Sequence, residues 1–166
     1  MILTTHALVG TSVAVLVPTN PALGFVAAIL SHFLLDMIPH WDYKMSSVIQ
    51  GSEKATTFIK KGFSSEVIKD VSKVLVDVLV GCVAVLLIFP ITDASLPIIV
   101  AGIVGGLVPD GLQFLYMTGK FPSLRNLQKF QESIDTGIHI KSPVLGILLQ
   151  MAIVVATIMI VSALHF

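Results

Sequence analysis

The run Ser31-His32-Phe33-Leu34-Leu35-Asp36-Met37-Ile38-Pro39-His40-Trp41-Asp42-Tyr43 sets two imidazoles and two carboxylates at the end of an apolar stretch. On a helix over residues 22–38, His32 and Asp36 stand at i and i+4, on one face and about one turn apart. Pro39 disfavours helix at Ile38, so His40 and Asp42 follow in an extended or turning stretch just beyond it. Trp41 and Tyr43 read as ordinary headgroup-level aromatic residues. Ionisable groups inside an apolar segment mark a functional site by default, and that points to His32 and Asp36. The plainer reading is a helix end dressed with interfacial polar groups.

His6, Asp77, Asp110 and His139 join these residues once the chain is laid out as helices, because each falls towards the same end of its helix. Asp36, Asp77 and Asp110 are the only charged side chains within the expected spans, with no Lys or Arg among them. Burying one unpaired carboxylate costs several kcal/mol and like charges add repulsion, so either the three are protonated or a cation lies among them. A divalent metal held by His6, His32, Asp36, Asp77 and Asp110, with Asp42 at the rim, meets that need. Imidazole with carboxylate suits zinc, manganese or iron rather than a thiolate site, zinc or manganese first. Such a metal would bring the pKa of a bound water towards 7, and an unligated His40 or His139 would serve as general acid or base. The chemistry expected is hydrolysis of an ester or phosphoester at headgroup depth, a membrane lipid being the nearest substrate.

The elements that must position these groups follow from composition. Of 166 residues, 55% are hydrophobic and 12% charged, with a mean hydropathy of +0.94. Soluble domains carry about 25% charged residues, so the chain reads as an all-α, polytopic membrane helical bundle with a single domain over 1–166. Five spans are expected, at about 3–17, 22–38, 74–89, 96–117 and 144–164, measured against the roughly 20 apolar residues needed to cross. Pro18-Thr19-Asn20-Pro21 joins the first two into a hairpin, and residues 90–95 join the third and fourth. All ten Lys and Arg lie in the intervening loops 44–73 and 118–142. The positive-inside rule therefore puts both loops and the N-terminus in the cytoplasm and the C-terminus outside the inner (plasma) membrane. Within those loops, Ala55, Phe58, Ile59 and Phe63 recur at helical spacing, as do Leu124, Leu127 and Ile134, which predicts two short amphipathic pieces. The start Met1-Ile2-Leu3-Thr4-Thr5 lacks the basic region of a secretory signal, so the first helix is expected to be retained. Zero formal net charge gives no case for nucleic acid as a partner. The single cysteine, Cys82, excludes an intrachain disulfide and reads as a small buried hydrophobe.

Two further patterns bear on the site. His6-Ala-Leu-Val-Gly10 followed by Val13-Ala14-Val15-Leu16 parallels Asp77-Val-Leu-Val-Gly81 followed by Val83-Ala84-Val85-Leu86. Each stretch leads to a proline-bearing turn and a second helix carrying one aspartate. Read as a duplication, this makes two parallel hairpin repeats about an axis along the membrane normal, plus a fifth helix. Gly10 and Gly81 would then let helix backbones approach closely. In the fourth span, Pro109 removes one helical hydrogen bond beside Asp110 and is expected to kink the helix there.

Thr5-His6 with Gly10 at the start of a first membrane helix, the block Ser31-His32…Asp36…Pro39-His40-Trp41-Asp42, and the later Pro109-Asp110 pair resemble the predicted membrane-bound metal-dependent hydrolases. These are small, uncharacterised polytopic proteins of the bacterial inner membrane. The resemblance implies His6, His32, Asp36 and Asp110 as the metal site. Gly111-Leu112 follows Pro109-Asp110 in place of a second acidic residue, and the His-Arg pair of that group is absent. Two other readings stay open at this point. One is a structural or partner-binding membrane protein without catalysis, and the other is an ion- or proton-coupled transporter.

Overall fold

A computed structural model of the chain describes residues 1–49, 58–59, 64–135, 138 and 140–165. The chain is predominantly helical. In order, the helices are α1 (Leu3–Ala14), α2 (Pro21–Asp36), α3 (Ser65–Ile88), α4 (Leu96–Met117), α5 (Arg125–Ile134) and α6 (Pro143–His165). A two-residue antiparallel pair, Val48–Ile49 with Phe58–Ile59, lies between α2 and α3, and a 3-10 turn, Pro122–Leu124, precedes α5.

Local chemistry explains most of these boundaries. α2 opens where the Asn20 side chain accepts from the Leu23 N–H at 3.1 Å, with Pro21 at the first helical position, a place where its missing N–H costs nothing. It closes at Asp36, ahead of Pro39. α3 opens where Ser64 caps the Val67 N–H at 3.3 Å with Glu66 in the first turn, which complements the positive end of the helix dipole. α4 closes at Gly119, whose φ of 73° suits a residue without Cβ and lets its N–H reach the Tyr116 carbonyl at 2.9 Å.

Two expectations are corrected. α3 begins at Ser65 rather than near residue 74, because the Ser64 cap sets the helix start while hydropathy marks only where apolar residues begin. Its first turns therefore carry Glu66, Lys69, Asp70 and Lys73. Phe58 and Ile59 form an extended pair with Val48 and Ile49 rather than part of an amphipathic helix, while Ala55 and Phe63 lie outside the described residues. The amphipathic piece after Pro122 is a helix, α5, with Gln128 and Gln131 buried. Leu124, Leu127 and Ile134 are half-buried along it. α4 runs from Leu96 to Met117 with Pro109 inside it.

The centre of the molecule is α1, which packs against α2, α3, α4 and α6. All of its residues except Val13 are buried, including Thr4, Thr5, His6, Thr11 and Ser12. Glycines on its neighbours let it sit there. A Cβ on Gly102 would lie 2.5 Å from Thr11 Cα, one on Gly106 would strike the His6 carbonyl, and one on Gly81 would lie 3.0 Å from Thr4 Cα. Gly10 fills the same role from α1, facing Gly102 and Gly106. α3 and α4, expected as a second hairpin like the first, pack on α1 rather than closely on each other. The two hairpins are therefore not equivalent in packing.

Large apolar side chains face outward, among them Leu30 and Leu34 on α2, Leu75, Leu79 and Leu87 on α3, and Leu145, Leu148 and Met159 on α6. Polar groups are gathered inside, the reverse of a domain that packs away from water. Three described helices are long and apolar enough to cross a membrane: Ser65–Ile88, Leu96–Met117 and Pro143–Leu164. α1, at 12 residues, measures about 18 Å, short of the roughly 30 Å hydrocarbon thickness.

Candidate metal centre

His32 and Asp36 share one face of α2, as their spacing requires, with His32 Nε2 3.1 Å from Asp36 Oδ2. His6, one turn into α1, brings its Nε2 to 3.2 Å from Asp36 Oδ1. The two imidazoles stack at a centroid distance of 4.0 Å and are fully buried, whereas the Asp36 side chain is 20% exposed. One ligand atom from each of His6, His32 and Asp36 lies within 4.8 Å of the other two. The N-terminal end of α1 thus meets the C-terminal end of α2, as the hairpin topology demands.

The bonding around these atoms is incomplete. His32 Nδ1 lies 2.8 Å from the Gly106 carbonyl; a carbonyl only accepts, so Nδ1 carries the proton and a neutral His32 points a lone pair from Nε2. That lone pair faces Asp36 Oδ2, another acceptor. Among the described residues, neither His6 nitrogen, nor His32 Nε2, Asp36 Oδ1 or Asp110 Oδ2, has a hydrogen-bond partner, although all five atoms are buried. Acceptors facing each other at about 3 Å are stable only if a proton or a cation is shared among them.

Asp110 stands at the edge of this cluster, with Oδ1 3.9 Å from His32 Nε2 and its side chain 27% exposed. The Met1 amino group lies 3.5 Å from Asp36 Oδ1 and 3.9 Å from Asp42 Oδ2. Asp42 is at the rim, with its side chain 46% exposed and its Oδ1 accepting from the Tyr43 N–H. His40 is buried. Its Nδ1 donates to the Ile38 carbonyl at 2.8 Å, and its own carbonyl accepts from the Ile140 N–H. Burial, and next the Met1 amino group, hold the His40 imidazole below its usual basicity. His139 lies outside the described residues.

Asp77 is placed elsewhere. It closes the open N-terminus of α1, where Ile2 offers no capping side chain. Its Oδ2 accepts from the Leu3 N–H at 2.7 Å and its Oδ1 from the Thr4 N–H at 3.0 Å, with the Thr4 hydroxyl 2.6 Å away. A carboxylate that takes two backbone N–H groups at the positive end of a helix is already well compensated.

Two buried polar residues outside the predicted set also matter. Gln150 of α6 accepts from the Ile2 N–H and the Thr5 hydroxyl through Oε1 and donates to the Trp41 carbonyl through Nε2 at 2.8 Å. It joins α1, α6 and the segment after Pro39, and an amide in so apolar a helix was the available signal. Asp70 of α3 accepts from the Ser47 N–H and from Lys73 Nζ, both at 2.7 Å. It went unseen because the predicted loop extended over it.

Comparison with family models, with curated proteins and with solved structures found no match to this chain.

Proposed function

We propose that the chain is a five-span inner-membrane protein whose cytoplasmic pole holds one divalent ion, zinc or manganese, between His6, His32 and Asp36, and hydrolyses an ester or phosphoester at headgroup depth. The observation that carries the reading is the convergence of two buried imidazoles from α1 and α2 on the Asp36 carboxylate, within ligand distance of one another. Ligands about 2.0–2.2 Å from a tetrahedral zinc stand roughly 3.3 Å from one another. His6 Nε2 is 3.2 Å from Asp36 Oδ1 and His32 Nε2 is 3.1 Å from Asp36 Oδ2. With one ligand atom taken from each residue, the three lie within 4.8 Å of one another, so the side chains would draw together around the ion. The Gly106 carbonyl on His32 Nδ1 is the kind of outer contact that holds a metal-binding imidazole in one tautomer and orientation.

Three protein ligands leave a position for water, the pattern of a catalytic rather than a structural zinc. Asp110, farther out and partly exposed, suits a base that takes the proton of that water better than a fourth ligand. The ion would lower the pKa of the water and balance the developing oxyanion. His40, held below its usual basicity by burial, would serve as an acceptor rather than as a proton donor.

For the topology, Val15 and Pro18 line a cavity of about 470 Å³ together with Phe89, Pro90, Thr92 and Ser95. The turn after α1 therefore reaches the same pole as the turn between α3 and α4, which supports a full crossing by the first hairpin. Enclosure on several sides relieves the short α1 of any need to match the bilayer alone.

Elemental analysis of the purified full chain tests the site. About one divalent ion per chain is expected, lost in His32→Ala and Asp36→Ala variants that keep native helicity, together with hydrolysis of a chromogenic phosphoester. No stoichiometric ion in the parent protein ends the metal reading, and an ion without hydrolysis of any ester tried ends the catalytic one.

A second reading, a structural or partner-binding membrane protein, is favoured by Asp77, Asp70 and Gln150, each of which joins separate segments by hydrogen bonds. There the His6–His32–Asp36 cluster is an imidazolium–carboxylate lock. Chelators then leave thermal stability unchanged.

A further inference from the structure

A second constellation lies along the outer flank of α3, and the sequence builds it from two adjacent stripes at i, i+4, i+8 spacing. Ile68, Ser72 and Val76 form one stripe, and Lys69, Lys73 and Asp77 the other. With Ile2 and Tyr43 as the opposite wall, they line an open groove of about 660 Å³. The site for α1's N-terminus thus has, on its outer side, a channel with an apolar floor and two ammonium groups on one edge.

The charges in that groove are not equivalent. Asp77 keeps its negative charge, which the Leu3 and Thr4 N–H groups stabilise, and it is turned to α1's first turn at the far end of the lysine stripe. Lys73 Nζ donates to Asp70 Oδ1 at 2.7 Å and to the Lys44 carbonyl at 2.9 Å. That leaves one of its three N–H donors to point elsewhere, from a position already held in place. Lys69, one turn earlier, is exposed.

Their height is also defined. Lys69 precedes Ile88, the last residue of α3, by a rise of about 29 Å, close to the thickness of the hydrocarbon layer. Between them the outer face carries exposed Leu75, Val76, Leu79 and Val80. The exposed Lys69 ammonium at headgroup level, with the remaining Lys73 donor one turn on, stands above an apolar wall and is complementary to one kind of amphiphile. An acidic peptide would leave its backbone polar groups against that wall without partners.

We propose that this groove binds an anionic phospholipid, its phosphate between Lys69 and Lys73 and an acyl chain along Ile68, Val76 and the apolar face of α3. The inference rests on the membrane placement proposed above and is independent of the metal.

The test uses the full chain in nanodiscs or mild detergent, stripped of metal by chelator, so its outcome and that of the metal analysis are read separately. Binding of a labelled phosphatidylglycerol is compared with that of the matching phosphatidylcholine. Preference for the anionic lipid is expected, reduced about five-fold or more by Lys69→Glu, on the scale of one lysine near a headgroup surface, and retained in Lys69→Arg. Lys69 is chosen because removing Lys73 would strand the buried Asp70. Val76→Trp, which fills the floor, is expected to weaken both lipids. Equal binding of the two lipids by the parent chain overturns the proposal. So does an equal loss of preference from Lys129→Glu on α5, which would assign the effect to general surface charge.

Discussion

Asp36, at the end of α2, and Asp77, inside α3, carry the same side chain, yet their surroundings give them different work. Asp77 meets backbone N–H groups and a hydroxyl, all donors. Asp36 meets imidazole nitrogens, which donate or accept according to protonation. The first arrangement is complete by itself, whereas the second is completed by a proton or a cation shared with the imidazoles, beside the Met1 amino group 3.5 Å from Asp36 Oδ1. Asp77→Asn, which turns one acceptor into a donor facing backbone N–H groups, is expected to lower stability by about 2 kcal/mol without changing metal content. A lower thermal midpoint in detergent with unchanged metal stoichiometry is the matching result, and loss of the ion would return Asp77 to the ligand set. The i, i+4 pairing of His32 with Asp36 was legible in the sequence because one helix fixes it. The separate fate of Asp77 was not, since a cap supplied by a different helix leaves no local pattern.

At the scale of elements, α1 reverses the usual assignment of the most apolar segment to the interior. Its Thr4, Thr5, His6, Thr11 and Ser12 are buried by α2, α3, α4 and α6, whose own outward faces are aliphatic. Close backbone approach makes this possible. Gly102→Ala would set a methyl group 2.5 Å from Thr11 Cα and is expected to cost roughly 1–3 kcal/mol through forced separation of α1 and α4. Gly111→Ala, on the same helix with nothing within 4 Å of the new Cβ, is expected to stabilise by about 0.5–1 kcal/mol through helix propensity. Thermal midpoints of the pair should move in opposite directions. A similar shift for both would mean that α4 does not rest on α1 through its glycines. The close-packing role of Gly10 and Gly81 was readable from their spacing after His6 and Asp77. The central position of α1 was not, because a short helix with several hydroxyls reads equally well as an edge or a centre.

For the molecule as a whole, the placement of its cations and its outward-facing aliphatic side chains describe a body suited to lipid on its flanks. Under the proposed topology, in a Cys82→Ala background, an impermeant maleimide added to intact cells should label Asp93→Cys and leave Lys120→Cys unlabelled until the membrane is opened. The reverse pattern would invert the orientation and move the cluster to the outer pole.

The sequence by itself determined that the chain is helical and strongly apolar, that its cations lie in two loops, and that His32 and Asp36 share a helix face. Each of these is a property of one segment or of composition, set by covalent order and backbone periodicity. The tertiary structure decided which of the residues expected at that pole meet: His6 completes the pair, Asp110 stands beside it and Asp77 is directed to α1's first turn. Periodicity gives a residue's height and face on its own helix. The rotation of that helix against its neighbours comes from which backbones can touch, and here the glycines of α3 and α4 against α1 set it.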